Sequence, residues 1–255
     1  MQYTISGREK PVNEGIIPYL RRAYGHIPLD EVESVFAFVE RTTLYGGRQF
    51  AGPELTDDDI ESMYSHGIGY RIPLTNLYID RDEYNLSLWL LDRYHRPGNS
   101  VIVVDDELAQ WIREDFPKYK VEASIIKNIN SYEKIDQALE IYDTVVLPTS
   151  LNEQQEFLSR LEQKERITLF AYAGCGVNCT SKMCYPSISK FNKFNGYTDF
   201  ECSRKYKPRE IRGKVEFDLD EYVAMGFNRF KLIEPTGGVT VGRVNPVLFT
   251  TKTSS

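Results

Sequence analysis

Short runs of apolar and β-branched residues alternate along the chain with longer segments in which apolar residues recur every three or four positions. The short runs predict buried strands, and the longer segments predict amphipathic helices. Eight strands are predicted, at residues 2–6, 34–39, 68–74, 100–104, 120–126, 144–147, 168–173 and 227–233. Helices are predicted between them, at residues 13–24, 56–66, 80–96, 106–116, 131–142, 151–164 and 218–225.

The apolar character of these strands indicates burial on both faces, which is typical of a parallel sheet covered by helices. Eight strand–helix units within 255 residues match a TIM-like (β/α)8 barrel, which takes roughly 200 to 250 residues. A doubly wound open sheet is the alternative, but residues 6–8 lack its glycine-rich phosphate turn. We therefore predict one barrel domain over residues 1–249, with a cysteine-rich loop after strand 7 and a flexible tail at residues 250–255.

All the cysteines of the chain lie between residues 175 and 202, directly after the seventh predicted strand. They are Cys175, Cys179, Cys184 and Cys202. Four thiolates complete a tetrahedral zinc site or a cubane iron–sulfur cluster without further ligands. Residues 1–10 do not resemble a secretory signal peptide, so we expect a reducing compartment, in which disulfides are rare. The cluster of cysteines predicts a metal centre, with free or redox-active thiols as the alternative.

The spacing of the cysteines bears on the identity of the metal. The pattern C-x3-C-x4-C-x17-C lacks the C-x2-C pairs of structural zinc sites, and the three histidines lie far upstream. This irregular spacing favours an iron–sulfur cluster, and Zn²⁺ is the alternative. The radical-SAM signature C-x3-C-x2-C does not fit, because Cys184 comes two residues too late.

Net charge and hydropathy exclude some classes of protein. The net charge of -6 is made of interspersed charges of both signs, which does not indicate a nucleic-acid-binding protein. The apolar runs are too short to span a bilayer, so we expect a cytoplasmic protein without a membrane span. A run of basic residues between positions 182 and 214 is interpreted as a solvated face, although it could steer an anionic substrate such as RNA.

The active site of a TIM barrel forms at the carboxyl ends of its strands. The polar residues that follow the predicted strands are Glu40, Arg41, Thr75, Asn76, Asp105, Lys127, Asn128, Thr149, Ser150, Asn152 and Glu234. Several of them also have a structural interpretation: Asp105 as a helix cap, like Ser131, and Asn128 and Asn152 as turn formers. None of the histidines follows a strand, so a Ser/His/Asp triad is not expected.

Four segments, in this order, resemble peptidase family U32: VEASIIKNINS, TVVLPTSLNE, the strand that leads into CGVNCTSKMC and a later cysteine, and GFNRFKLIE. The resemblance extends over residues 68–234. It implies a TIM barrel and, in several members, a [4Fe-4S] cluster held by four cysteines. By position, the cluster ligands here would be Cys175, Cys179, Cys184 and Cys202. Lys127, Asn128 and Asn152 would line the pocket beside the cluster.

The family includes collagenase-type peptidases and relatives that hydroxylate RNA bases or the ubiquinone ring without oxygen. The chain differs from them in its more compact cysteine spacing and in Glu234–Pro235, where relatives often have Gly–Arg. We expect a compact, U32-like iron–sulfur enzyme or subunit that performs a redox or hydroxylation step on a small molecule or nucleobase, with Lys127, Asn128, Asn152 and Glu234 as candidate catalytic residues. The alternatives are a zinc-stabilised, non-catalytic accessory subunit and a peptidase. The candidate macromolecular partners are a second subunit and RNA.

Overall fold

The computed structural model describes residues 1–173, 183–196 and 215–233. Its strands are β1 (Gln2–Ser6), β2 (Val32–Phe36), β3 (Gly69–Leu74), β4 (Ser100–Val103), β5 (Lys120–Ala123), β6 (Thr144–Val146), β7 (Ile167–Phe170), β8 (Tyr172–Ala173), β9 (Val215–Glu216) and β10 (Arg229–Leu232). Strands β1 to β7 and β10 pair in parallel and close into a barrel in the order β1-β10-β7-β6-β5-β4-β3-β2. β8 and β9 form a separate antiparallel pair. The predicted TIM-like barrel is confirmed.

Helices follow most of the barrel strands. They are α1 (Ile16–Ala23), α2 (Asp57–Ser65), α3 (Arg81–Leu86), α4 (Leu88–Arg93), α5 (Asp106–Asp115), α6 (Tyr132–Ile141), α7 (Gln155–Ser159), α8 (Cys184–Lys193) and α9 (Leu219–Ala224). Short 3-10 turns lie at Leu29–Glu31, Ile125–Lys127, Thr149–Leu151 and Lys164–Arg166. Side-chain caps begin several helices: Asp105 accepts a hydrogen bond from the Leu108 amide at 2.9 Å, and Ser131 accepts one from the Lys134 amide at 3.4 Å.

Local side-chain chemistry explains the main differences from the predicted elements. The helix predicted over residues 80–96 is two helices, α3 and α4, that meet at Ser87. The Ser87 hydroxyl donates to the Glu83 carbonyl at 2.9 Å, which is the kind of local bond that bends or interrupts a helix. The strand predicted to reach residue 126 ends at Ala123, because Ser124 caps a 3-10 turn. Helix α8 was not predicted at all.

The barrel strands divide their side chains between two environments. Residues such as Ile5, Tyr70 and Val121 are fully buried in the main hydrophobic core. Because side chains alternate along a strand, their neighbours in sequence point into the barrel. At the carboxyl ends of the strands the barrel interior is apolar, where Ile102, Val146 and Phe170 form a small separate cluster. Nearer the amino ends the interior is polar and charged.

A network of ion pairs fills this lower part of the barrel. Glu122 on β5 is 1% exposed, and its carboxylate lies 2.6 Å from the Arg71 guanidinium and 3.4 Å from Lys231 Nζ. Glu33 pairs with Arg71 at 3.0 Å and with Arg229. The network therefore joins charges from four strands, β2, β3, β5 and β10, across the interior.

A bulge in β2 places Glu33 in this network. β1 pairs Tyr3 with Val32 and Thr4 with Ser34, so Glu33 is an extra residue in the register. A bulge of this kind changes the direction of a side chain. The Glu33 carboxylate consequently reaches Arg71 and Arg229.

Hydroxyl groups complete the environment of Glu122. Thr144 and Thr168 donate hydrogen bonds to its carboxylate at 3.1 and 3.2 Å. Burial alone would raise the pKa of Glu122, but the positive charges of Arg71 and Lys231 outweigh burial and lower the pKa to about 2. Glu122 is therefore ionised throughout the physiological pH range.

We expect Glu122→Gln to lower the free energy of unfolding by about 3 to 5 kcal/mol, because removing one member of a buried pair leaves Arg71 and Lys231 with uncompensated charge. The folded pKa of about 2 lies below the ordinary value of 4.5, so the ionised carboxylate stabilises the fold fully above pH 4.5 and loses this contribution as the pH falls towards 2. Urea unfolding at pH 7 and pH 3 measures both effects. The difference in unfolding free energy between the wild type and Glu122→Gln should be smaller at pH 3 than at pH 7.

The matched control is Glu140→Gln, which removes the same charge from an exposed position on α6. This variant should unfold like the wild type at both pH values. An equal unfolding free energy for Glu122→Gln and wild type at pH 7 would contradict the structural role of the network.

Candidate active site at the barrel mouth

A cavity of about 110 Å³ lies at the carboxyl ends of the barrel strands. Its apolar surface comes from strand-end residues that point inward, among them Phe36, Pro73, Ile102 and Phe170. The polar groups in its lining are the hydroxyls of Ser6, Thr75 and Ser124 and the cations of Arg8, Arg48 and Lys231. An apolar pocket with a few convergent polar groups is the usual form of a small-molecule site.

The loop after β2 closes one side of this cavity through a tight backbone contact. A Cβ atom on Gly46 would overlap the carbonyl oxygen of Thr75, which follows β3. Gly47 adopts a φ of 72°, in the left-handed region that glycine tolerates best. The backbone amide of Asn76 donates to the Leu44 carbonyl at 3.0 Å and holds the two loops together. The glycines therefore permit a close approach that shapes the wall of the pocket.

Helix α8 lies over the same loops. The Asn192 side chain donates to the carbonyls of Tyr45 and Arg48 at 3.1 and 2.9 Å and accepts from the Phe50 amide at 2.9 Å. The Asn76 side chain donates to the Ser189 carbonyl at 3.0 Å. Side chains near the end of α8 thus attach it to the loops after β2 and β3.

The first turn of α8 reaches the cavity. Tyr185 is part of the cavity lining, and Cys184, which precedes it, is the first residue of the helix and is half-buried. In the barrel order, β3 lies opposite β7. The end of α8 that is attached to the loops after β2 and β3 therefore lies across the barrel mouth from β7.

Lys231 connects the cavity to the charged network below it. Its side chain is 5% exposed, and Nζ lies 3.4 Å from Glu122 and 4.7 Å from the centre of the Phe36 ring. Burial lowers the pKa of Lys231 to about 8; the Glu122 charge opposes this shift and the Arg71 charge adds to it. About a tenth of Lys231 is therefore uncharged at pH 7, and about half at pH 8.

The charge of Arg48 is already compensated within the protein. Its guanidinium forms a two-pronged ion pair with Glu54 and stacks 4.2 Å from the centre of the Phe38 ring. Glu54 also accepts a hydrogen bond from the Phe38 amide at 2.8 Å. Arg48 consequently shapes the rim of the cavity more than it adds net charge.

All three predicted catalytic residues that the structure describes, Lys127, Asn128 and Asn152, lie outside the cavity lining. Lys127 donates to the Asp106 carboxylate at 2.8 Å and to the Val104 carbonyl at 3.0 Å, and it lies 5.4 Å from the centre of the Tyr142 ring. Asn128 ends a 3-10 turn with a left-handed φ of 54°. These contacts match the structural interpretation of Asn128, and no contact tests a catalytic role for either residue.

Asn152 lies beside the end of β7. It is 2% exposed. Its side-chain amide donates to the Phe170 carbonyl at 2.8 Å, and its backbone carbonyl accepts from the Tyr222 hydroxyl at 2.8 Å. Its side-chain oxygen has no hydrogen-bond partner among the described residues. Asn152 holds the chain after β6 against β7 and α9.

The other predicted mouth residues have varied positions. Thr75 lines the cavity, whereas Asn76 is fully buried beneath α8. Glu40 pairs with Arg93, and Arg41 donates to the Asn192 carbonyl at 3.1 Å, so the two do not pair with each other.

Three of the four candidate metal ligands, Cys175, Cys179 and Cys202, lie outside the described residues, as does Glu234. Within residues 1–173, 183–196 and 215–233, no group of three or more His, Cys, Asp or Glu residues is placed to hold a metal ion. The prediction of a four-cysteine centre is therefore untested, and Cys184 alone of these ligands has a described position.

The sequence reasoning did not identify Lys231, Phe36 and Tyr185 as site residues. A signal was present for Lys231, because a charged residue inside an otherwise apolar strand must find a partner in the interior. Arg71 on β3 and Glu122 on β5 carry the same signal. No such signal exists for Phe36 and Tyr185, which are ordinary aromatic residues until the fold places them around one cavity.

The solved structure of the U32 peptidase Mk0906 is similar to this barrel, with a TM-score of 0.62 over 91% of each chain and 13% sequence identity. This chain has a U32-like fold. The fold implied by the sequence resemblance is thereby confirmed. No protein-family model matches the sequence, and no curated protein matches it.

Two further observations concern the histidines and the helices. None of His26, His66 and His95 is among the residues that line this cavity. None of the helices in the described part of the chain is long and apolar enough to cross a membrane.

We expect Asn192→Ala to loosen α8 from the U32-like barrel. The change removes three hydrogen bonds to backbone groups, each with a net value of about 1 kcal/mol. Hydrogen exchange of the peptide that covers α8 should become roughly ten- to a hundredfold faster, while exchange in the barrel strands stays the same. Lys190→Ala, at an exposed position of the same helix, is the control and should leave exchange unchanged. Equal protection of α8 in all three proteins would contradict this anchoring.

We expect Gly46→Ala to destabilise the protein by about 1 to 3 kcal/mol, because the new methyl group cannot fit without separating the loops after β2 and β3. Gly15→Ala is the matched control, since its Cβ meets no atom closer than 3.6 Å. Thermal unfolding of the three proteins measures the effect. If both variants unfold at the same temperature, the close approach at Gly46 is not required.

Proposed function

We propose that this protein is an enzyme, or an enzyme subunit, that binds a small apolar or aromatic molecule at the barrel mouth beside an iron–sulfur cluster. The observation that carries the proposal is the position of α8. This helix begins at Cys184, its next residue lines the cavity, and its far end is attached across the mouth from β7. One of the four cysteines is therefore adjacent to the pocket.

The donor set fits a [4Fe-4S] cluster. The four cysteines Cys175, Cys179, Cys184 and Cys202 supply the four thiolates that such a cluster requires. All four follow β7 in the sequence, and β7 ends at the carboxyl face of the barrel, where TIM-barrel active sites form. When bound, the cluster would exchange electrons with a redox substrate in the neighbouring pocket.

The residues of the cavity determine what the substrate can be. Phe36, Phe170 and Tyr185 supply aromatic surface on which a flat ring can pack, and they exclude water from it. Lys231 and the hydroxyls of Ser6 and Ser124 can hydrogen-bond a polar substituent and orient it. A substituted aromatic ring or a nucleobase has these properties, so a redox or hydroxylation step on such a ring is the reaction that we propose.

Two alternatives have partial support. The similarity to a U32 peptidase structure suggests peptide hydrolysis, but none of the histidines is near the cavity to act as a general base. The same four cysteines could instead hold a structural Zn²⁺ in a non-catalytic accessory subunit. RNA or a partner subunit could be the physiological ligand in either case, and metal analysis separates the redox proposal from both alternatives.

We expect protein purified without oxygen to contain about four irons and four sulfides per chain and to absorb broadly near ~400 nm. Cys184→Ala should lose the colour and most of the iron, because removal of one thiolate leaves a cluster iron without its protein ligand. Met183→Ala, next to it and exposed, should retain both. Iron, zinc and sulfide analysis of the three proteins is the measurement.

Iron bound equally well by Cys184→Ala would exclude Cys184 as a ligand. About one zinc and no iron in the wild type would overturn the redox proposal and favour the structural alternative.

A further inference from the structure

The chemistry proposed above leaves unexplained why a lysine is buried beneath an apolar cavity. Lys231 is 5% exposed and lines the cavity together with Phe36. Its Nζ atom lies 4.7 Å from the centre of the Phe36 ring. Its carboxylate partner is Glu122, at 3.4 Å. Burial of an ammonium group is costly unless close partners compensate its charge.

The partners of Glu122 show that this compensation is weak. One oxygen of the carboxylate lies 2.6 Å from the Arg71 guanidinium and accepts hydrogen bonds from both Thr144 and Thr168. Lys231 contacts the other oxygen at a distance near the limit of a hydrogen bond. The Glu122 carboxylate therefore interacts more strongly with the Arg71 guanidinium than with the Lys231 amine.

A count of charges in the network leads to the same conclusion. The positive groups inside the barrel are Arg71, Arg229 and Lys231, and the negative groups are Glu33 and Glu122; the exposed Lys120 also lies 4.0 Å from Glu33. If Lys231 is protonated, the buried network carries one excess positive charge; if Lys231 is neutral, the network is balanced. Since guanidinium groups do not lose their protons, Lys231 is the group that can release one.

We propose that Lys231 is a nucleophile that forms an imine with an aldehyde or ketone bound in the mouth cavity. A neutral amine at the base of an apolar pocket is the arrangement that lysine requires for this reaction. The lowered pKa of Lys231, about 8, agrees with the geometry. The inference rests on the proposed function in that it uses the same cavity, but it does not require the metal centre.

The chemical step is balanced without a co-reactant. The lone pair of Nζ forms a bond to the carbonyl carbon, and a proton moves from nitrogen to the carbonyl oxygen to give a carbinolamine. Loss of that oxygen as water leaves the imine, with no oxidation or reduction. Protonation of the imine withdraws electrons from the neighbouring carbon and so activates it for bond cleavage or proton loss.

The cavity limits the carbonyl compound in size and polarity. A volume of about 110 Å³ holds a compact molecule, and the lining of Phe36, Ile102, Phe170 and Tyr185 favours an apolar or aromatic skeleton. Benzaldehyde is a suitable probe, because it has one carbonyl group and one aromatic ring and no other group that reacts with amines.

The test is reductive trapping with benzaldehyde and sodium cyanoborohydride on the purified full-length protein, followed by peptide mass mapping. Reduction of the imine adds the mass of the probe less one oxygen. At pH 8 we expect Lys231 to be labelled roughly tenfold or more faster than exposed lysines, because a group with a pKa near 8 is about half neutral there.

The pH profile gives a second signature. Around Lys231 the charged groups are Glu122, Arg71, Arg229 and Glu33, together with Arg8 and the Glu54-paired Arg48 in the cavity lining. The guanidinium groups and the low-pKa carboxylates keep their charge from pH 6 to pH 10. Cyanoborohydride is kept in excess so that attack of the neutral amine limits the rate. The labelling rate of Lys231 should then level off above pH 8, whereas the rates of exposed lysines rise about tenfold per pH unit until near pH 10.

Lys231→Met should lose this fast label, and Lys134→Met, at an exposed position on α6, should keep it. Because the peptide map resolves each lysine, the wild type decides the question even if Lys231→Met fails to fold. Labelling of Lys231 no faster than that of exposed lysines would overturn the inference. If that result is found in protein that contains the full complement of iron and sulfide, the imine chemistry fails while the proposed redox function stands.

Discussion

The buried carboxylate of Glu122 is the group on which the interior of the barrel depends. It lies between Arg71 on β3 and Lys231 on β10 and also accepts from Thr144 on β6 and Thr168 on β7. Its single charge thus joins β5 to four other strands. Buried ion pairs add little net stability compared with apolar packing. Loss of any one partner, however, leaves the others with uncompensated buried charge. The ion pairs therefore hold the strands in one register. The barrel interior is built around this constraint.

The network also determines the character of the site above it. Charged groups occupy the interior near the amino ends of the strands. The apolar side chains of Ile102, Val146 and Phe170 fill the interior near the carboxyl ends. The pocket therefore has an apolar wall, and Lys231 extends from the charged region into its lining. An amine in such a position is held by few hydrogen bonds, and its protonation depends on the balance of charges beneath it.

Helix α8 links this pocket to the cysteine-rich segment. Asn192 and Asn76 attach it to the loops after β2 and β3, on the side of the mouth opposite β7. The close packing of those loops depends on Gly46, which has no side chain to separate them. A cysteine at the start of the helix is consequently held next to the wall of the cavity, which is the geometric basis of the proposed function.

The barrel can be predicted from the amino-acid sequence, because eight apolar strands separated by helices permit few other closed arrangements. The same holds for local features such as the caps at Asp105 and Ser131, since these depend on neighbouring residues alone. Which polar residues contact each other cannot be read from the sequence and depends on how the strands and helices pack. Lys127 follows β5 as predicted, yet it turns to Asp106, whereas Lys231 lies within a strand and reaches the cavity. Contacts between residues far apart in sequence depend on the direction of each side chain, and strand closure and helix packing set that direction.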